Sequence, residues 1–168
     1  MPTPNLHIRP GTPDDAELLF SLISELAEYE KLSHEVVATP ASLQKSLFAP
    51  DAATKFMIAE WDDQPVGFAL YFTTYSTFLA KEGIYLEDVY VQPSYRGRGI
   101  GKQLLAEVAR ITVQREGGRL EWSVLDWNAP AIEFYDSLGA KPQGEWIRYR
   151  IVDEELAALA ASHEHADG

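Results

Sequence analysis

The sequence predicts a single domain of the mixed α/β (α+β) class, built on one β-sheet, and three observations support that prediction. The chain has 168 residues, a length that suits one domain and is short for two. Hydrophobic residues make up 46% and charged residues 24%, the proportions of a folded globular domain. The apolar pattern predicts a helix pair, then an antiparallel meander, then a strand–helix–strand–helix–strand series. No repeat or linker divides residues 1–168, and we expect frayed ends at residues 1–5 and 161–168.

The first quarter of the chain predicts a short strand and two helices. Leu6–Arg9 is the strand candidate. Thr12 and Pro13, followed by two acidic residues, are typical of a helix start, where a hydroxyl caps the first turn and acids face the positive dipole end. The helix has one apolar face, formed by Leu19, Leu22, Ile23 and Leu26. Thr39 and Pro40 predict the start of a second, shorter helix.

The centre of the chain predicts three strands. Two apolar runs, Phe56–Trp61 and Val66–Tyr75, flank the turn residues Asp62–Pro65, which indicates a hairpin. Gly83–Val91 predicts the next strand, and two adjacent acidic residues interrupt its apolar pattern.

Helices and strands alternate in the last part of the chain. The predicted elements are a helix over Gly99–Arg115, a strand over Leu120–Leu125, a helix over Ala129–Leu138, a strand over Glu145–Val152 and a helical segment after Asp153. The last strand is amphipathic and terminal, so it has the character of a strand that exchanges between subunits.

Charge and composition exclude several classes of function. Lys and Arg number 14 against 26 Asp and Glu, and the net charge of −12 argues against nucleic acid and suits a cationic partner. The chain has no cysteine, which excludes disulfides, thiolate metal sites and a cysteine nucleophile, and its four histidines are not spaced as a metal-ligand set. No apolar run approaches the roughly 20 residues that span a bilayer, and the N-terminus lacks signal-peptide features, so we expect a cytoplasmic protein without a membrane partner.

The most informative segment is a glycine-rich turn between the third central strand and the helix that follows it. Its residues are Arg96, Gly97, Arg98, Gly99, Ile100, Gly101 and Lys102. Alternate glycines let backbone N–H groups turn toward one point where a helix dipole begins, and three basic side chains lie beside them. The pattern predicts a site for a pyrophosphate or similar polyanion, with a flexible turn carrying solvated arginines as the alternative. The glycine spacing fits neither a dinucleotide-binding fold nor a P-loop.

The R-x-x-G-x-G pattern of this turn resembles the coenzyme A loop of the GCN5-related N-acetyltransferase (GNAT) family. The resemblance extends over nearly the whole chain and is similar to the diamine (spermidine/spermine) acetyltransferase branch and its thialysine-acetylating relatives. The other segments that carry it are Ile8–Pro10, Glu25–Glu30, Thr74–Phe78, Tyr85–Asp88, Trp127–Asn128 and Phe134–Tyr135. It implies one GNAT-like domain over residues 1–168. It also implies a mostly antiparallel twisted sheet flanked by helices and splayed around an acyl-CoA site, acetyl-CoA as co-substrate without a metal, and a homodimer.

Acetyl transfer from a thioester to an amine requires the amine to lose a proton. Deprotonating an alkylammonium at pH 7 costs roughly 4 kcal/mol, since its pKa lies about three units higher. A carboxylate can accept that proton. Without a cysteine, direct attack by the amine is the simplest route, and a serine nucleophile is the alternative. Strand alternation predicts that Glu87 and Asp88 point to opposite faces, and the alternative is one solvated acid and one acid paired with an arginine. The resemblance implies that Glu87 binds the amine and relays its proton, and we interpret Asp88 as structural.

The resemblance also implies roles for residues around the cofactor. Tyr135, near the end of its helix, is the expected general acid for the departing thiolate, although such an aromatic residue is by itself more typical of a core. Asn128 stands where the family contacts the pantetheine arm, and Ala131 stands where relatives often have serine. The backbone N–H groups expected to meet the cofactor belong to Val89, Tyr90 and Val91.

Two further segments are expected to line the amine site. They are Tyr29 with Glu30 at the end of the first helix, and Glu121, Trp122 and Ser123 in a later strand. Acids and aromatic rings suit a cationic amine, while an ordinary amphipathic helix end is the alternative for the first segment. This chain departs from the polyamine enzymes in two places: it has Lys31 after Glu30, and it has Ser76 where they tend to carry an acid. These departures leave thialysine-like, lysine-like and short diamine substrates open. The alternative functions are acetylation of a protein N-terminus or lysine, and a non-catalytic CoA-binding regulatory domain.

Overall fold

The computed structural model describes residues 5–163, which divide into a first unit that ends at residue 125 and a second unit that begins at residue 126. Most of the residues predicted to fray, 1–5 and 161–168, lie outside the described range.

The first unit is built on a five-stranded sheet with the strand order β1-β2-β3-β4-β5. Neighbouring strands from β1 to β4 are antiparallel, and β5 pairs with β4 in parallel. The strands are β1 (Leu6–Pro10), β2 (Thr54–Trp61), β3 (Gln64–Ser76), β4 (Lys81–Val91) and β5 (Leu120–Trp122). The predicted mixed α/β class with a mostly antiparallel sheet is therefore confirmed.

A two-residue turn joins β2 and β3 into a hairpin. Trp61 pairs with Gln64, so only Asp62 and Asp63 form the turn, and their φ angles are +48° and +64°. Two residues at positive φ are typical of a type I′ turn, whose twist matches that of the flanking strands. The predicted hairpin is confirmed, with each strand slightly longer than its apolar run.

Helices of the first unit cover both faces of the sheet. They are α1 (Ala16–Tyr29), α2 (Pro40–Leu47) and α3 (Ile100–Gln114). Leu19 and Leu22 of α1 are buried in a core with Phe68 and Leu70 of β3. Charged groups of α3 act instead on Tyr71, which follows Leu70 and therefore faces the other side of the sheet. The end of α1 thus lies over the same sheet face as the even-numbered residues of central β3.

The second unit contains α4 (Ala129–Ser137) and α5 (Asp153–Ala161), which agree with the predicted helices. The predicted final strand, Glu145–Val152, is wrong, because this segment has no regular structure. A strand needs a partner for its backbone N–H and C=O groups, and within residues 5–163 no strand pairs with this one. Its rings are correspondingly exposed, Trp146 at 76% and Tyr149 at 90%.

The strand predicted over Leu120–Leu125 is also shorter than expected, since β5 ends at Trp122. Among residues 5–163, no helix combines the length and the apolar character needed to cross a membrane.

Candidate active site

The glycine-rich turn links the end of β4 to the start of α3. Gly97 and Gly99 have φ angles of +79° and +80°, in the left-handed region that favours glycine. A Cβ atom added to either residue would meet no atom within 4 Å, so the turn is open on that side. Gly99 is the N-cap of α3, whose first N–H groups have no partner within the helix and attract an anion. This arrangement fits a pyrophosphate.

The side chains of the turn differ in what they contact. The guanidinium carbon of Arg98 lies 5.1 Å from the ring centroid of Trp61 and 5.1 Å from that of Tyr95. The Ile100 side chain is 1% exposed and belongs to the core, so this residue offers an anion only its N–H group. Lys102 is exposed on the first turn of α3. Arg98 is therefore stacked on rings, whereas Lys102 carries its charge at an exposed position beside the turn.

Arg96 points back toward the sheet and α1. Its Nε donates a hydrogen bond to the carbonyl oxygen of Val91 over 3.1 Å. Its guanidinium carbon lies 4.9 Å from the ring centroid of Tyr29, the last residue of α1, and 5.8 Å from that of Tyr90. The first residue of the turn is thus held between β4 and the end of α1.

A β-bulge interrupts β4 at its two acidic residues. Asp88 pairs with Leu70 and Leu86 pairs with Tyr71, so Glu87 is an extra residue without a partner on β3. Bulges of this kind insert one residue into a strand and are frequent beside active sites, where they redirect side chains.

The bulge brings both acids to the face that α1 covers. Asp88 pairs with Leu70, whose side chain lies in the core beneath α1. Tyr85 pairs with Phe72, two residues after Leu70 and therefore on the same face, and their rings lie 5.3 Å apart. Glu87 comes two residues after Tyr85 and shares that face. The prediction that Glu87 and Asp88 point to opposite faces is wrong, because it assumes an uninterrupted strand.

Asp88 is the carboxyl group that its surroundings perturb most clearly. Burial, together with the negative charges of Glu87 and Glu30, raises its pKa to about 7. Burial also raises the pKa of Glu30, the C-cap residue that follows α1. A carboxyl group with a pKa near neutrality is typical of acid–base chemistry, so our interpretation of Asp88 as purely structural missed a functional candidate. The available signal was a pair of adjacent acids in an apolar strand, which is costly to bury.

The segment predicted to line the amine site from β5 lies against the same part of β4. Glu121 pairs with Tyr85 in the sheet, and the Tyr85 hydroxyl forms a hydrogen bond with the Ser123 hydroxyl. Trp122 pairs with Leu86 and is half-buried. The structure therefore brings this segment within reach of the strand that carries the acid pair.

The sheet opens beyond this point. β5 pairs with β4 only over Ile84–Leu86, whereas Val89–Val91 pair on their other side with β3. In the part of the chain that the structure describes, no strand pairs with Val89–Val91 on the outer side. This open edge leads directly into the glycine-rich turn and agrees with the predicted splayed sheet.

The second unit holds the remaining predicted residues on α4. The Asn128 side chain caps this helix by accepting a hydrogen bond from the Ala131 N–H over 3.4 Å. Tyr135 is half-buried in the last turns of the helix, with its ring centroid 5.7 Å from that of Phe134. Gly139, with φ at +87°, follows the end of the helix. Tyr135 is thus carried by a short helix with a defined start and end.

Comparisons with known proteins agree with one another. The model of the acetyltransferase (GNAT) family matches residues 19–140. A thialysine N-epsilon-acetyltransferase of Bos taurus is 37% identical over 164 residues, which cover 91% of this chain and 96% of that protein. An L-ornithine N5-acetyltransferase of Arabidopsis thaliana is 33% identical over 198 residues, which cover 90% and 86%. Among solved structures, an integron cassette protein from the mobile metagenome of V. cholerae superposes with a TM-score of 0.79 at 28% identity, covering 95% of this chain and all of that one.

Proposed function

The chain belongs to the GNAT acetyltransferase family, and from that premise we propose that it acetylates a primary amine of a small cationic substrate. It is an N-acetyltransferase, and its family uses acetyl-CoA as co-substrate, as the resemblance of the glycine-rich turn implied. Named relatives are enzymes, which argues against the alternative of a non-catalytic CoA-binding domain. The family model crosses residue 125, which supports one functional domain over both units.

The glycine-rich turn and the open edge of β4 supply the co-substrate site in this proposal. Gly97 to Gly101 offer backbone N–H groups and Lys102 offers a charge to the pyrophosphate, while Asn128 and Ala131 meet the pantetheine arm. When bound, acetyl-CoA supplies the acetyl thioester. The N–H groups of Val89–Val91 face the carbonyl oxygen on which negative charge develops.

The acid pair in the β4 bulge is the observation that carries the proposal. Glu87 is exposed and binds the substrate ammonium, and Asp88, with a pKa of about 7, lies beside it on the same face. An acceptor with a pKa near the working pH is the most effective general base, so Asp88 holds the proton that Glu87 relays from the amine. This assignment adds Asp88 to the role expected of Glu87 alone.

Tyr135 completes the proposed reaction. The amine nitrogen forms a bond to the acetyl carbon, the carbon–sulfur bond breaks, and the Tyr135 hydroxyl gives its proton to the departing thiolate. The nitrogen loses its second proton as it becomes an amide, and that proton restores the Tyr135 hydroxyl. We expect Tyr135→Phe to bind CoA normally and to lose about 100-fold or more in kcat. Full turnover of Tyr135→Phe at every pH would remove Tyr135 from the mechanism.

The proposed amine pocket is lined by acids and aromatic rings from α1 and β5. They are Tyr29, Glu30, Glu121, Trp122 and Ser123. Ion pairing and cation–π contacts favour a small amine that carries positive charge. The relatives' names specify thialysine and L-ornithine, and we extend that substrate class to this chain.

Release of free CoA thiol from acetyl-CoA, measured against an amine panel, tests the proposal. The panel contains thialysine, ornithine, lysine, putrescine, spermidine and a short lysine-containing peptide. We expect saturable release with one of the small amines and little with the peptide. Saturation with the peptide alone would favour acetylation of proteins, and CoA binding without release by any amine would contradict the proposal.

We also propose a homodimer in which the segment 145–152 pairs with a second copy. The segment alternates like a strand, and Trp146, Ile147 and Tyr149 are exposed at 76%, 77% and 90%. Light scattering on the native chain is expected to give twice the chain mass, and Ile147→Asp is expected to give a monomer. A monomeric native chain would contradict this part of the proposal.

A further inference from the structure

We propose that Arg96 is a positioning residue that couples the glycine-rich turn to the end of α1, so that CoA bound at the turn orders the amine side of the site. This inference rests on the proposed function. It gives Arg96 a different role from the phosphate ligand that its sequence position predicts.

The contacts of Arg96 connect three parts of the first unit. Its guanidinium carbon lies 4.9 Å from the Tyr29 ring and 5.8 Å from the Tyr90 ring, both within the range of a cation–π contact. Its Nε donates to the Val91 carbonyl oxygen, five residues back along the chain. The side chain is therefore committed to the end of α1 and the end of β4.

A second set of contacts holds the same two elements one helical turn earlier. The Tyr90 hydroxyl donates to Glu25 over 3.4 Å, and the Gln92 amide donates to both Glu25 oxygens over 3.2 and 3.4 Å. Glu25 and Tyr29 are four residues apart and lie on one face of α1. This face of α1 therefore contacts β4 through Glu25, and it contacts the glycine-rich turn through the pairing of Tyr29 with Arg96.

Arg98 provides an internal comparison. It lies two residues further along the same turn and also stacks on two rings, but those rings belong to Trp61 at the end of β2 and to Tyr95, which directly precedes the turn. Arg98 therefore shares the residue type, exposure and neighbourhood of Arg96, and its ring partners lie outside α1.

The end of α1 matters because Glu30 follows Tyr29 directly. Glu30 lies close enough to the acid pair of β4 for its charge to act on Asp88. In this proposal, a movement of the turn that displaces Arg96 also displaces Tyr29 and Glu30. It therefore changes the position of the side chains that line the proposed amine pocket. Such coupling is reciprocal, so an amine that orders the end of α1 tightens CoA binding by the same factor.

Hydrogen exchange of the α1 end with and without saturating CoA tests this inference without knowledge of the amine. In the native chain we expect CoA to slow exchange in residues 26–32 by about fivefold, the factor that corresponds to one exposed cation–π contact. Arg96→Ala and Tyr29→Leu are expected to abolish that protection while calorimetry still detects CoA binding. Arg98→Ala is expected to keep the protection once CoA is saturating, whatever its effect on CoA affinity.

Three outcomes would overturn the inference. They are a native α1 end that does not respond to bound CoA, an Arg96→Ala variant that keeps the protection, and an Arg98→Ala variant that loses it at saturation. If Arg96→Ala mainly weakens CoA binding and keeps the protection at saturation, Arg96 is a phosphate ligand. A native chain that binds no CoA would instead refute the proposed function itself.

Discussion

At the start of α1, Asp15 is 7% exposed, and its carboxylate accepts hydrogen bonds from Arg9 Nη1 and Nη2, over 2.8 and 2.9 Å, and from the Thr12 N–H over 2.8 Å. The Arg9 hydrogen bonds dominate its environment and lower the Asp15 pKa to about 2. At the far end of α1, Asp88 is half-buried, and its partial burial and two neighbouring carboxylates all raise its pKa, to about 7.

The two aspartates differ in how their charge is compensated, which suits Asp15 to stability and Asp88 to the proposed proton transfer. Asp15 has its charge compensated, so it stays ionised and fixes β1 to the start of α1. At Asp88, the groups identified as acting on the carboxyl all favour its protonated form, so it exchanges a proton near neutral pH. An uncompensated charge in a folded core is costly, and it persists where function requires it.

The largest expected effect separates the two aspartates by activity. We expect Asp88→Asn to lower kcat/KM by about 100-fold or more, because it removes the group that holds the amine's proton. In the native enzyme kcat/KM should rise with pH through about 7 and then level, since the base must be ionised. The variant should lose that rise, as a pH profile from 5.5 to 9 would show.

Glu82→Gln is the matched control, because Glu82 is an exposed acid on the same strand. It should keep the native pH profile. If the rise near pH 7 survives in Asp88→Asn and disappears in Glu87→Gln, then Glu87 holds the proton without Asp88.

The next effect concerns the compensated aspartate. Asp15→Ala removes the two hydrogen bonds between Asp15 and Arg9 and leaves Arg9 only its ion pair with Glu60 at 3.4 Å, so we expect the free energy of unfolding at pH 7 to fall by about 2 kcal/mol. Urea denaturation measures this loss. Asp14→Asn, at the exposed neighbouring acid, is expected to change stability by at most about 0.5 kcal/mol. An equal loss in both variants would mean that the ion pair has no special role.

The pH dependence of stability should have opposite signs at the two sites. The Asp15 pKa is lowered on folding, so its contribution is lost as pH falls from about 4 to about 2. The Asp88 pKa is raised on folding, so the folded state binds the extra proton and loses stability as pH rises from about 4 to about 7. At pH 8 we expect Asp88→Asn to be more stable than the native chain by about 2 kcal/mol. Urea titrations at pH 4.5 and pH 8 measure the difference, and equal stability of the two chains at pH 8 would contradict it.

The smallest effect lies in the backbone at the end of α1. Lys31 has a φ of +62°, and the Leu32 N–H donates to the Ala27 carbonyl, a helix termination that favours glycine. Lys31→Gly is expected to raise the free energy of unfolding by about 1 kcal/mol relative to Lys31→Ala. Thermal unfolding of both variants separates this backbone effect from loss of the side chain. Equal melting temperatures would mean that the left-handed residue causes no strain.

Local patterns were sufficient to predict most of the first unit. Apolar spacing identified α1 and α3, and the aspartate turn identified the β2–β3 hairpin, because each depends on residues near one another in sequence. The glycine-rich turn was likewise predictable from its local sequence, because Gly97 and Gly99 supply the residues with positive φ that the turn requires. In contrast, the segment Glu145–Val152 has a strand-like pattern that does not specify a partner, and without one it forms no strand.

The candidate site was predicted less completely, for a related reason. A register shift of one residue between β3 and β4 is set by packing on both faces of the sheet, and nothing in the local sequence around Glu87 specifies it. The role of Asp88 depends on that shift and on Glu30, which is far away in sequence. The contacts of Arg96 with Tyr29 also join distant segments, so the turn's sequence alone indicated a phosphate ligand.

The bulge in β4 has a simple evolutionary meaning, because it amounts to a single codon. Deleting residue 87 would bring Leu86 and Asp88 into consecutive register with Tyr71 and Leu70 and restore an ordinary ladder along the whole strand. A sheet that only supports the fold and a sheet that presents paired acids therefore differ by one three-nucleotide insertion. One such step would add or remove the acid pair and leave the other β3–β4 residue pairs unchanged.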